Sequence, residues 1–262
     1  MSAGIIALSG QQVRDFLADS LDGTGPCRVA DSLPWTALAA TSVVPGARLL
    51  MEELAGGGAR LTAKGNLSRK LVETLMDRSR WPGRDPAEIR SICKVINEQD
   101  FGPAMYLHAI LKVAGLARRS AGCLKLTRKG SALLPEEAAG ALHAALLRTT
   151  FTRYNLGYLD RLDAPDIYAP QISLILFLIG QFCTDWRPAD ELMRSVTLPM
   201  EEMIDPQRAW IPEFAFTNRV LRYLCWFGLL DEARPTANDN RSSPRLFRKT
   251  PLYDRTLSFA LR

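Results

Sequence analysis

The sequence predicts a mainly α-helical fold with short β-hairpins, arranged as tandem modules. Three observations lead there. Apolar side chains recur at helical spacing over long stretches, two of those stretches close on a glycine followed by a period-two segment and a turn, and a short basic phrase recurs along the chain. The phrase reads Leu61-Thr62-Ala63-Lys64-Gly65-Asn66-Leu67, then Leu126-Thr127-Arg128-Lys129-Gly130-Ser131-Ala132-Leu133, and more loosely Phe247-Arg248-Lys249-Thr250-Pro251-Leu252. With 262 residues, 47% hydrophobic and 23% charged, the chain can bury a sizeable core as one large domain or two ordinary ones.

Around the second copy, Met105, Leu107, Ile110, Leu111 and Ala114 mark an amphipathic helix from Phe101 to Gly115. Leu116 to Arg119 and Cys123 to Thr127 then form a hairpin about Ser120-Ala121-Gly122, and Thr127 is placed to cap a helix through Leu134. The third copy follows the same logic. Phe214, Val220, Leu221, Leu224 and Phe227 share one stripe ahead of Gly228, Leu229-Leu230 begins a strand, Pro235 to Pro244 is a turn-rich loop, and Arg245 to Lys249 returns. Upstream lie an apolar helix, Ile172 to Cys183, and a shorter one from Pro188 to Arg194. The first copy is less complete: a short helix from Arg48 to Ala55, one strand from Ala59 to Thr62, and a helix from Leu67 to about Arg78 read as a degenerate module. Residues 1–82 are therefore expected to form an N-terminal helical region holding that segment. Residues 83–164 would be a module with a long connecting helix and 165–262 a C-terminal module, the main boundary falling in the proline-containing stretch Leu159 to Pro170.

Helix, glycine, Leu-Ala-Arg-Arg, turn and Leu-Lys-Leu-Thr-Arg-Lys-Gly together resemble the recognition-helix-to-wing passage of winged helix-turn-helix domains. The resemblance covers residues 95–134 well and 170–259 fairly; residues 1–47 share none of it. The Leu-Thr-x-x-Gly-Asn-Leu phrase with its basic helix is also similar to poorly characterised bacterial and plasmid-borne proteins with repeated winged helices. It implies tandem winged-helix modules, with the helix before each wing entering the major groove and the wing cations touching the DNA backbone or minor groove.

Charge is segregated in the same places. Arg60, Lys64, Arg69 and Lys70 lie in a stretch without an acid, as do Lys112, Arg118, Arg119, Lys125, Arg128 and Lys129. From Arg241 to Arg262 six cations face Asp254 alone, yet the whole chain is only +5. Such segregation points to a polyanion, most commonly nucleic acid. The residues expected to contact it are Arg118, Arg119, Lys125, Arg128 and Lys129, then Arg245, Arg248 and Lys249, with Arg219 and Arg222 as candidate base readers on the third copy's helix. His108 is a poor reader, and Phe151, Tyr154 and Tyr158, at i, i+3 and i+7, fit a packed stripe better than a base-stacking platform.

Other function classes find little support. His108 and His143, the two histidines, lie in no metal-ligand or nucleophile motif, Gly56-Gly57-Gly58 lacks the lysine of a phosphate loop, and Glu201, Glu202 and Asp205 fit a solvated loop. No enzyme activity, cofactor or metal is expected. Five scattered cysteines form neither a disulfide framework nor a zinc pattern, and Cys93, Cys183 and Cys225 read as small buried hydrophobes. The longest apolar run, Ile172 to Ile179, is too short to span a bilayer and no secretion signal is evident, so a cytoplasmic, non-membrane protein is expected. The leading expectation is a regulator or accessory factor that binds nucleic acid, most simply duplex DNA, through basic wings. The alternative is a protein-interaction scaffold built from the same modules.

Overall fold

Ser9 opens the first helix with a capping box: its hydroxyl accepts from the Gln12 N–H, and the Gln12 side chain accepts from the Ser9 N–H. The computed structural model describes residues 7–199, 210–233 and 244–261. Helix α1 (Gly10–Leu17) and strand β1 (Cys27–Val29) come first. The chain then divides into two compact units: a central unit, Asp31–Tyr154, and a composite unit made of the segments up to Ala30 and from Asn155 onward.

The central unit comprises α2 (Trp35–Leu38), α3 (Val43–Ala55), β2 (Ala59–Arg60), α4 (Arg69–Arg78), α5 (Pro86–Ile92), α6 (Gly102–Val113), β3 (Ala117–Ser120), β4 (Cys123–Leu126), α7 (Arg128–Ala132) and α8 (Ala139–Thr152). Helices α3, α6 and α8 pack on one another through Leu50, Leu54, Leu107, Ile110, Leu111, Leu146 and Leu147, all buried. Gly115 ends α6 with a φ of 72°, which lets the N–H groups of Gly115 and Leu116 return to the carbonyls of Lys112 and Leu111 at 3.0 and 2.8 Å. The hairpin follows at once. In the sheet, order β2-β4-β3, Ala59 pairs with Leu124 and Arg60 with Cys123, while Arg118 pairs with Lys125 and Arg119 with Leu124.

The composite unit continues with α9 (Ile172–Phe182), β5 (Arg187–Pro188) and α10 (Ala189–Val196). An interrupted helix follows: α11 (Trp210–Phe216), a π turn over Thr217–Leu221, and α12 (Arg222–Trp226). Then come β6 (Leu230–Ala233), β7 (Leu246–Lys249), α13 (Pro251–Thr256) and β8 (Leu257–Phe259). Strand β8 pairs antiparallel with β1, while Phe16 of α1 stacks on Phe177 of α9 at 4.9 Å, so the first 30 residues complete this unit rather than the central one. Its second sheet has the order β5-β7-β6.

Each unit therefore runs helix, short strand, further helices, hairpin, with the short strand beside the returning strand of the hairpin; the central unit has the additional helix α5. The joints match as well. Gly228 has the same φ of 72° as Gly115, and Leu229 returns to the Leu224 carbonyl as Leu116 does to Leu111. Thr250 and Thr127 each donate a side-chain hydrogen bond to the carbonyl of that glycine, at 2.7 and 2.8 Å, and cap the next helix. The threonine of the repeated phrase is thus a clamp between helix and hairpin.

Two expectations change. The first and second copies of the phrase are not separate modules divided at residue 82/83, because β2, only two residues long, finds its hydrogen-bond partners in β4. The first copy is instead the turn that leads from β2 toward α4, with Gly65 N–H returning to the Thr62 carbonyl at 2.8 Å and Ser68 capping the helix. Tyr158 does not share the stripe of Phe151 and Tyr154: those two are buried, but α8 ends at Thr152 and Tyr158 is exposed. The expected loop from Pro235 lies outside the described residues up to Ser243, as do Glu201, Glu202 and Asp205.

Candidate nucleic-acid interface

Strand alternation and pairing register sort the side chains of the central sheet into two faces. Leu124 is fully buried beneath the sheet, so its neighbours Cys123 and Lys125 point the other way, as do their partners Arg60, Ser120 and Arg118. Arg60 and Arg118 are exposed and Lys125 is half-buried, which makes this the outer face. Three cations, one from each strand, share it. Arg118 and Lys125 sit directly opposite each other, an arrangement of like charges that a sheet tolerates at a cost of a few tenths of a kcal/mol up to about 1 kcal/mol.

Glycines let these side chains lie close to the backbone. Gly58 has a φ of 98°, and a Cβ there would come within 2.8 Å of Lys125 Cγ and of the Leu124 carbonyl oxygen. Arg119, although its strand position is opposite Leu124, is exposed and lays its guanidinium against Gly65, where a Cβ would be 3.2 Å from Nη1. Lys64 and Arg128 are exposed nearby in sequence. Among the described residues no acid forms an ion pair with Arg60, Lys64, Arg118, Arg119, Lys125 or Arg128. Lys129 differs: its Nζ donates to the Ala114 carbonyl at 3.0 Å, closing the end of α6.

In the composite unit the corresponding cations are occupied. Arg245 holds Glu232 with two bonds of 2.7 and 2.8 Å and lies over the Phe247 ring. Arg248 pairs with Asp231 at 3.3 Å and covers Trp186 at 4.6 Å, while Lys249 donates to Asp254 at 2.9 Å and to the Gly180 carbonyl. Asp231 and Glu232 occupy the register of Arg118 and Arg119, and Arg248 that of Lys125.

Arg219 is a correction. Its side chain is 2% exposed, paired with buried Asp160 at 2.6 Å, and its remaining N–H groups donate to the carbonyls of Ala164, Pro165 and Leu162. The π turn is the physical reason, since one extra residue per turn rotates the helix face: Phe214, expected inside, is 41% exposed, and Arg219, expected outside, is inside. Arg222 is half-buried, bonded to Asn218 Oδ1 and lying 6.0 Å from the Trp226 ring centre. His108 is likewise inside, its Nδ1 2.7 Å from Glu98 Oε1, while Glu98 also accepts the Leu67 N–H. Neither the Glu98–His108 pair nor the Asp160–Arg219 pair was legible in the sequence, where the partners stand 10 and 59 residues apart.

Of the cysteines, Cys27, Cys183 and Cys225 are buried, and burial pushes the Cys183 thiol up to about 11; Cys93 and Cys123 are half-buried. Cys93, expected in the core, follows directly on the exposed Ile92 at the end of α5. Among the described residues no three His, Cys, Asp or Glu side chains gather as a metal site, and no helix is long and apolar enough to cross a membrane.

Comparison with known proteins bears on the central unit. Residues 39–141 match the family model described as the Y4jL N-terminal domain, a stretch that contains the whole β2-β4-β3 sheet. The chain is also similar to the uncharacterized protein y4jL of Sinorhizobium fredii (strain NBRC 101917 / NGR234), 36% identical over 74 residues, which is 28% of this chain and 34% of that protein. The chain thus spans about a third of the length of the curated relative it matches. No solved structure matches it.

Proposed function

We propose that the two units carry tandem winged helices and that the chain is a non-enzymatic, cytoplasmic nucleic-acid-binding protein, a regulator or accessory factor. The central wing is its working surface. The observation that carries this reading is the outer face of the central sheet, where Arg60, Arg118 and Lys125 converge from three strands with no acid among the described residues paired to any of them, flanked by Arg119. A face of this kind favours a polyanion, since each phosphate it meets releases condensed counterions and offsets the repulsion between Arg118 and Lys125. The shared order of helix, short strand, further helices and hairpin in both units, with the same three-stranded sheet order, supports the winged-helix assignment.

A second reading, a protein-interaction scaffold, is favoured by α11, where Trp210 and Phe214 are 58% and 41% exposed and meet edge to face at 5.8 Å. Fluorescence anisotropy with labelled duplex at low and moderate salt, alongside the triple variant Arg118→Glu, Arg119→Glu, Lys125→Glu, separates the two. Salt-steep binding lost in a variant that keeps its thermal transition is the expected result. Absence of binding by the unaltered chain at low salt would sink the nucleic-acid reading and leave the scaffold.

A further inference from the structure

Resting on the nucleic-acid reading above, we infer that the central unit grips duplex DNA by its phosphate backbone alone, through the outer face of the β2-β4-β3 sheet, and reads no bases. Winged helices that read sequence do so with polar side chains on the helix ahead of the wing. Helix α6 does not supply them. Along it, Lys112 is the one fully exposed side chain. Gly102, Met105, Ala109 and Val113 are half-buried, and every other position is buried. His108 is held inside by Glu98, which at the same time accepts the Leu67 N–H, and the Tyr106 hydroxyl is buried against Thr150. A helix with this surface offers no Arg, Asn or Gln to a base edge.

Unpaired bases fare no better. Single strands are held by aromatic side chains on which bases stack. In the central unit Trp81, Phe101, Tyr106, Phe151 and Tyr154 are buried, and Trp35 is half-buried beneath the Arg48 guanidinium at 4.5 Å. What the face does offer is N–H donors on long stems, Arg60, Arg118 and Lys125, with Arg119 beside them, none ion-paired to an acid among the described residues. Such donors suit phosphate oxygens, and contacts made there carry no sequence information. The fixed phosphate rows of a rigid duplex suit such a face better than a flexible strand does, because the strand must be ordered on binding.

The test uses the full chain and a panel of duplexes of one length and unrelated sequences, with a single-stranded oligonucleotide and an RNA duplex of the same length, each measured at several salt concentrations. Expected are affinities equal to within about threefold across the DNA duplexes, weaker binding to the single strand and the RNA duplex, and a salt slope of roughly −3.6 for four phosphates. The double variant Arg118→Asp, Arg119→Glu, which places at this register the acids that the composite sheet already tolerates, should lower affinity for every duplex on the order of 100-fold and flatten the slope by about two. A duplex preferred by ~1,000-fold, the discrimination of a sequence reader, would overturn the base-free grip while leaving the nucleic-acid reading in place. Tighter binding to the single strand or to the RNA duplex would overturn the choice of duplex DNA, and an unchanged double variant would overturn the assignment to this sheet. No binding to any member at low salt would instead remove the underlying reading.

Discussion

The two three-stranded sheets share strand order and register and differ in what stands opposite each cation. In the central sheet Lys125 faces Arg118; in the composite sheet Arg248, at the same register, faces Asp231, and Glu232 next to it holds Arg245. A count of basic residues makes the two hairpins look alike, since the stretches 112–129 and 241–262 each hold six cations. Pairing separates them. A cation that already meets a carboxylate gives up that contact before it can take a phosphate, so the sheet whose cations meet no acid among the described residues is the better candidate for a polyanion.

The largest effect expected from breaking this contrast lies in the composite unit. Arg219 was a candidate base reader by sequence, but it is buried with Asp160 and clamps the carbonyls of the 162–165 loop. Arg219→Met strands a buried carboxylate, and the cost of breaking such a pair by one partner is about 3–5 kcal/mol. Chemical denaturation should show that loss, while duplex affinity measured below the transition stays unchanged. The opposite pattern, native stability with weakened binding, would return Arg219 to the interface and dissolve the distinction between the two units.

The reverse exchange sharpens the comparison at a smaller scale. Asp231→Arg together with Glu232→Arg gives the composite sheet the cations of Arg118 and Arg119 and releases Arg248 and Arg245 from their partners. The lost pairs are partly exposed, so each should cost no more than about 1 kcal/mol of stability. Binding should gain on the order of tenfold at low salt, with a salt slope steeper by about two, if charge pairing is what silences this sheet. A variant that folds and binds no better would mean that something other than pairing distinguishes the sheets.

Much of the architecture is legible in the sequence because it is local. The glycine that ends the helix, the leucine behind it, the two-residue hairpin turn and the threonine that caps the next helix lie within about fifteen residues in the central unit, and the same glycine, leucine and threonine recur in the composite unit across a longer hairpin connection. What the sequence hides is long-range or irregular. A strand of two residues such as Ala59–Arg60 has no periodicity to detect, so its pairing with β4, which fuses two copies of the phrase into one unit, is invisible. The same holds for β1 and β8 at opposite ends of the chain. A π turn breaks the 3.6-residue repeat on which any inside-outside assignment rests, and so Phe214 and Arg219 were placed on the wrong sides. Of the candidate contacts, Arg118, Arg119, Lys125 and Arg128 keep their availability in the structure; Arg245, Arg248 and Lys249 lose it to acids that a window of cations alone does not weigh.

The smallest expected effect is also the most local. Cys123 lies on the outer face of the central sheet, between Arg60 on one neighbouring strand and Ser120 on the other, and is half-buried. It therefore reports on whatever covers that face. Cys93, half-buried at the end of α5 and outside the sheet, is an internal control, and the buried Cys27, Cys183 and Cys225 stay silent, Cys183 doubly so because its raised pKa keeps the thiol protonated at pH 8. Alkylation followed by mass spectrometry should show Cys123 slowing several-fold when duplex DNA is added, and Cys93 reacting at its original rate. Protection of both would point to a general shielding of the chain, and protection of Cys93 alone would place the nucleic acid on the α5 side of the central unit, away from the cations of the sheet. Protection of Cys123 alone is the outcome that joins the charge pattern to a position on the fold, because no other half-exposed thiol of the chain shares a face with Arg60, Arg118 and Lys125.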